Sequence, residues 1–148
     1  MNGKNRKLED CRSDELIHQA GEAFKRAYAP YSEYHVGAAV LTNNGDIYTG
    51  CNIENAVYPL TLCAERVAIF KAVSEGATSI RALAVVTKNG GTPCGSCRQV
   101  MREFGDEDTL IYIANTEGQF RTRHLVDLLP ESFSAADLPR KAKDDPSG

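Results

Sequence analysis

Apolar residues recur at three- and four-residue steps through residues 13–28, at Leu16, Ile17, Ala20, Ala23, Phe24 and Ala27. That spacing predicts an amphipathic helix with Ser13 as its cap and Pro30 as its stop. The period then changes. Residues 34–42 and 46–51 are β-prone, and Asn43-Asn44-Gly45-Asp46 between them supplies residues that tolerate positive φ, so a hairpin is expected. The chain leaves it into Asn52-Ile53-Glu54-Asn55, read as a loop. Residues 63–74 carry apolar side chains around much of a helical circumference and end before Gly76, the pattern of a mostly buried helix. Residues 80–87 form a near-continuous apolar run rich in valine, which predicts a strand covered on both faces. Asn89-Gly90-Gly91-Thr92-Pro93 breaks it. A third helix over 95–104, a strand over 109–114, a turn at Gly118 and a short helix over 125–129 follow. Helices alternating with strands in this order predict an α/β fold, a three-layer α/β/α sandwich around a mixed central sheet. One domain is expected over 13–138, with a flexible N-terminus at 1–12 and a charged, flexible tail at 139–148.

A chain of 148 residues buries enough surface to fold without a covalent staple. Its net charge is -3 and its lysines and arginines are scattered, with basic-leaning pieces only at 4–7, 121–124 and 140–143. That balance argues against nucleic acid as a partner, because such binding draws its affinity from phosphate neutralisation by a basic patch. Apolar runs are no longer than strands, so no membrane span is expected. Residues 1–15 are polar and lack the apolar segment of a secretory signal, which points to a cytoplasmic chain with reduced thiols.

The candidate chemistry lies in Cys63-Ala64-Glu65-Arg66 and Pro93-Cys94-Gly95-Ser96-Cys97. Three cysteines in two clusters suit a zinc ion with one coordination position left for water or substrate, whereas a structural site takes four protein ligands. Both clusters sit at expected helix starts, where backbone N–H groups and the positive dipole end favour thiolates. Other readings are a redox pair at Cys94 and Cys97, or a closed structural knuckle completed by Cys11, Cys51, His18, His35 or His124. Glu65 follows the first cysteine by two residues, placed to move a proton beside the metal; its alternative is a solvated carboxylate in a helix first turn.

The segments Cys51-Asn52-Ile53-Glu54-Asn55-Ala56, Cys63-Ala64-Glu65-Arg66 and Pro93-Cys94-Gly95-Ser96-Cys97-Arg98-Gln99 together resemble the small homotetrameric cytidine deaminases of pyrimidine salvage, from about Tyr28 to about Phe133. The resemblance implies hydrolytic deamination of cytidine and 2'-deoxycytidine to the uridines plus ammonia. It implies one zinc per subunit on Cys63, Cys94 and Cys97, with Glu65 as proton shuttle. Asn52 and Glu54 would hold the ribose hydroxyls, and Ala64 would line the substrate site. Tyr34 stands where close relatives often carry a phenylalanine that packs on the nucleoside. Phe133 matches a C-terminal aromatic that covers the pyrimidine from a neighbouring subunit, so the sites of a homotetramer would be shared. Arg66 and Gln99 are expected beside the ligands; three thiolates around a divalent ion leave one excess negative charge, which the Arg66 guanidinium can offset by donating to sulfur. Rival readings are a deaminase of another aminopyrimidine nucleoside or a nucleoside antibiotic, a polynucleotide-editing deaminase, and a zinc-stabilised interaction module.

Overall fold

Successive side chains along β1 (Val36–Thr42) enter two different cores: Ala38 and Val40 pack on one side, Ala39 and Leu41 on the other. The same alternation holds in β3 (Ile80–Thr87) and β4 (Leu110–Asn115), where Leu83, Val85, Ile111 and Ile113 face the first core and Ala82, Ala84, Leu110 and Tyr112 the second. A strand buried on both faces has no polar side to show, which is why residues 80–87 read as an unbroken apolar run. The sheet is completed by β2 (Ile47–Cys51) and β5 (Phe120–His124), in the order β2-β1-β3-β4-β5. β3 and β4 are parallel; every other neighbouring pair is antiparallel. One face is covered by α1 (Ser13–Phe24) through Leu16 and Ala20, the other by α2 (Ala64–Ser74) and α3 (Gly95–Phe104) through Ala68, Ile69, Cys97 and Met101. The architecture is the expected α/β/α sandwich on a mixed sheet, and a short α4 (Leu125–Leu128) closes it.

Two glycines set how closely the layers approach. A Cβ on Gly37 would run into the backbone of Ala20 and Phe24, so α1 rests directly on β1. On the opposite face a Cβ on Gly50 would come within 2.5 Å of the Ala68 nitrogen and 2.6 Å of the Ala64 carbonyl oxygen, so the first turns of α2 rest on β2 in the same way. The hairpin turn needs a third glycine for a different reason: Gly45 has φ 86° and donates its N–H to Thr42 O at 3.1 Å.

The computed structural model describes residues 11–139. Of the termini read as flexible, 1–12 and 139–148, residues 1–10 and 140–148 lie outside the described residues. Cys11 donates its backbone N–H to the Tyr112 hydroxyl at 2.8 Å, and Arg12 precedes α1 with φ 57° while its side chain reaches Glu15 and Gly45. The first helix ends at Phe24, short of residue 28, because Tyr28 has another partner. Its N–H donates to Asn52 O at 2.9 Å and its carbonyl accepts from Glu54 N–H at 2.8 Å, which draws the backbone out of the helix. β5 has no counterpart in the sequence reading. Its residues Phe120-Arg121-Thr122-Arg123-His124 are mostly exposed, as suits an edge strand guarded by charge, and such a strand lacks an apolar stripe. α2 is less enclosed than its composition implies, with Phe70 44% exposed.

Candidate active site

Cys63 is the residue immediately before α2, Cys94 the residue immediately before α3, and Cys97 lies in the first turn of α3. Their sulfurs lie within 4.8 Å of one another, with Cys94 to Cys97 at 3.5 Å and Cys63 to Cys94 at 4.0 Å. Tetrahedral zinc with Zn–S bonds of about 2.3 Å separates two sulfurs by about 3.8 Å, so this trio fits one zinc ion. Among the described residues no fourth histidine, cysteine or acidic side chain joins the group. Neither Cys11, Cys51 nor any of the three histidines therefore closes a structural knuckle.

The thiols also have the electrostatics of a cation site. Cys63 is lowered to about 5, chiefly by its hydrogen bond with Cys97 and further by Arg66, whose Nη2 donates to its sulfur at 3.2 Å. Cys97 moves the other way, raised by the same interaction with Cys63 and by burial. One ionised sulfur thus makes the next harder to ionise, and a bound divalent cation is what lets all three be thiolates. Glu65 is only 4% exposed, so it is not a solvated first-turn carboxylate. Burial raises its pKa, and the charge of Cys63 adds to the shift.

A second cluster faces the loop before β1. Ile53 exchanges backbone hydrogen bonds with Leu62, both at 3.0 Å, which ties the 52–54 segment to the residue before Cys63. Extended backbone there turns Asn52 and Glu54 toward the same partner segment, residues 31–36. Asn52, buried, accepts at Oδ1 from Val36 N–H at 2.9 Å and donates from Nδ2 to Tyr34 O at 2.8 Å. Glu54 accepts from the N–H groups of Tyr31 and Ser32 at 2.9 and 3.1 Å and from the Ser32 hydroxyl. The Ser32 hydroxyl is the main reason the Glu54 carboxyl sits below its ordinary range. Tyr34 is 42% exposed, and its hydroxyl donates to Asn89 Oδ1 at 2.8 Å.

Residues 11–113 match the family described as the cytidine and deoxycytidylate deaminase zinc-binding region. The chain belongs to this family. It is 47% identical to the cytidine deaminase of Sporosarcina psychrophila over 88% of its own length and 97% of the relative's. It is 49% identical to the cytidine deaminase of Halalkalibacterium halodurans, over 83% and 95% of the two chains. The crystal structure of cytidine deaminase from Burkholderia pseudomallei superposes with a TM-score of 0.77 at 45% identity, covering 81% of this chain and 98% of that one. Zinc binding is a property of the matched family, and the sulfurs of Cys63, Cys94 and Cys97 are positioned to hold the ion.

Within this deaminase scaffold the other expected site residues divide into two sets. Ala64, fully buried in the first turn of α2, and Arg66, bonded to Cys63, lie beside the metal ligands. Gln99 instead donates from Nε2 to the carbonyl of Phe133 at 2.7 Å, and Phe133 itself is 58% exposed. Three residues that sequence reasoning passed over join these parts. Ser32 fixes Glu54, Asn89 receives Tyr34, and Arg98 spans from Pro93 O at 2.8 Å to Leu128 O at 2.7 Å. The only available signal for Asn89 was its place in the Asn-Gly-Gly-Thr-Pro break before Cys94; nothing local marks Ser32.

Proposed function

We propose that the chain hydrolytically deaminates cytidine and 2'-deoxycytidine to uridine and 2'-deoxyuridine, releasing ammonia. The observation that carries this reading is a trio of thiols with no fourth protein ligand among the described residues, next to a buried carboxyl at Glu65. Zinc, when bound, supplies the Lewis acidity that makes a water nucleophilic at neutral pH. With the ion in place, Glu65 would take one proton from that water and give it to the ring nitrogen, then take the second from the hydroxyl now on the ring carbon and give it to the amine, which leaves as ammonia. A carboxyl whose burial raises its pKa is suited to holding the proton between those transfers. Arg66, donating to Cys63, offsets the excess negative charge of the ligand set.

Asn52 and Glu54 recognise the sugar. With one bond made by its oxygen and one by its nitrogen, the Asn52 amide keeps an acceptor site and an N–H, and Glu54 keeps acceptor capacity beyond its three bonds. A ribose hydroxyl can accept from the first and donate to the second. Tyr34 borders the same loop and packs beside the nucleoside. We further assign the working form as a homotetramer in the cytoplasm, serving pyrimidine salvage. Tyr28, Tyr31, Val57, Tyr58, Leu60 and Phe70 are exposed large apolar side chains that subunit contacts would cover. Phe133 would reach a neighbour's site from its anchored backbone.

Incubating zinc-loaded protein with cytidine, deoxycytidine, cytosine, cytidine monophosphate and a cytosine-containing oligonucleotide tests this, following loss of the aminopyrimidine absorbance. The two nucleosides should react, and free cytosine should be poor because it makes no hydrogen bond with Asn52 or Glu54. Equal kcat/KM for cytosine and cytidine would replace this reading with a base deaminase. Zinc binding without turnover of any substrate would leave a zinc-stabilised interaction module.

A further inference from the structure

Two parts of the site come from different stretches of chain. The sugar-facing pair Asn52 and Glu54 is bonded to residues 31–36, while Cys94 follows the 88–93 loop that leaves β3. A single side-chain chain of hydrogen bonds joins the two loops. The Tyr34 hydroxyl donates to Asn89 Oδ1 at 2.8 Å; Thr87 Oγ1 donates to the same oxygen at 3.3 Å and accepts the Gly91 N–H at 2.7 Å. The donors and acceptors balance, since the Thr87 hydroxyl gives one bond and takes one. At its other end, Tyr34 N–H donates to Ser32 Oγ at 3.0 Å, and Ser32 in turn holds Glu54. Gly91 lies directly beneath the hydroxyl: a Cβ there would stand 2.7 Å from Tyr34 Oη.

We infer that the Tyr34 hydroxyl, bonded to Asn89 over Gly91, is a positioning latch that fixes the span between the sugar-recognising loop and the metal-ligand loop. A nucleoside must satisfy both ends of the site at once, so a fixed span favours binding with both ends engaged. The phenolic oxygen supplies the latch; the ring alone does not. This deepens the cytidine reading and rests on it.

Three variants separate the latch from simple packing. Tyr34→Phe keeps the ring and removes the bond, and should raise KM for cytidine about three- to tenfold, the value of one net hydrogen bond, with the change falling on KM more than on kcat. Asn89→Ala, which also takes away the acceptor of the longer Thr87 bond, should raise KM at least as much, and the double variant should be no worse than Asn89→Ala alone, since the Tyr34 hydroxyl then has no partner left to lose. Gly91→Ala should also raise KM by displacing the hydroxyl, yet add nothing in a Tyr34→Phe background where no oxygen is left to displace. Hydrogen exchange gives a readout independent of turnover: the amides of Tyr34 and Gly91 should exchange faster in Tyr34→Phe than in the parent. A parental KM and unchanged exchange in Tyr34→Phe would overturn the latch, as would effects of Tyr34→Phe and Asn89→Ala that multiply. If the parent protein itself failed to deaminate cytidine, the substrate reading would fall, and the exchange rates would still decide the latch.

Discussion

Glu65 and Arg66 are consecutive in the chain and have opposite surroundings. The carboxyl is nearly sealed from solvent, whereas the guanidinium reaches past the helix start to the Cys63 sulfur at 3.2 Å. Substituting Glu65 by glutamine preserves shape and removes the capacity to take a proton. Metal analysis of Glu65→Gln should therefore find zinc at the parental stoichiometry while kcat drops at least about a hundredfold, the usual contribution of a placed acid/base group. Near-parental turnover would remove Glu65 from the proton path. Alanine at Cys63, Cys94 or Cys97 should behave differently, losing zinc and activity together, since two thiolates rarely hold the ion. The cysteines and Glu65 could be picked out from spacing because ligand chemistry confines them to a short motif. Ser32 and Asn89 could not, since hydrogen bonds between loops carry no periodicity and polar residues there read as solvated; Arg98 stands in the motif itself, but its reach from α3 to Leu128 O has no local signature.

At the level of elements, α2 carries Cys63 at its start and Glu65 in its first turn, and its height above the sheet is set where Gly50 meets Ala64 and Ala68. Gly50→Ala should push the start of α2 outward. Overpacking of this kind costs roughly 1–3 kcal/mol, and a fall in denaturation midpoint accompanied by weaker zinc retention would be its signature. Parental zinc affinity in a destabilised Gly50→Ala protein would mean that α2 accommodates the methyl without moving its ligand end. Most elements were readable from pattern, because strands buried on two faces and helices with an apolar stripe write their environment into the sequence. The exceptions follow from physics outside that pattern. α1 stops early because the Tyr28 backbone is claimed by Asn52 and Glu54, a long-range competition invisible in local propensity. β5 pairs along the rim with polar residues, and its strand character comes from β4's free edge.

For the whole molecule, α3 connects the metal end to the C-terminal segment: Arg98 holds Leu128 O, Gln99 holds Phe133 O, and Arg102 Nε donates to Ser132 Oγ at 3.1 Å. That anchoring leaves the Phe133 ring outward, available to a second copy. Sedimentation should give a species near four times the 16.1 kDa chain mass, and Phe133→Ala should weaken nucleoside binding with the fold intact. A fully active monomer at assay concentration would contradict the shared site. The strand order β2-β1-β3-β4-β5 has one more consequence, for the timing of assembly. After the first hairpin, β3 is added at the free edge of β1 and then β4 and β5 each beside its predecessor, so none has to be threaded between two already paired. The sheet can be laid down in the order in which a ribosome delivers it, and all three thiols have emerged by residue 97, before β4 begins at Leu110. Until β4 arrives, the apolar edge of β3 is bare, which makes that interval the one in which a nascent chain is most open to pairing with another. Pulse-labelled exchange during refolding should then show the β1 and β2 amides protected no later than those of β5.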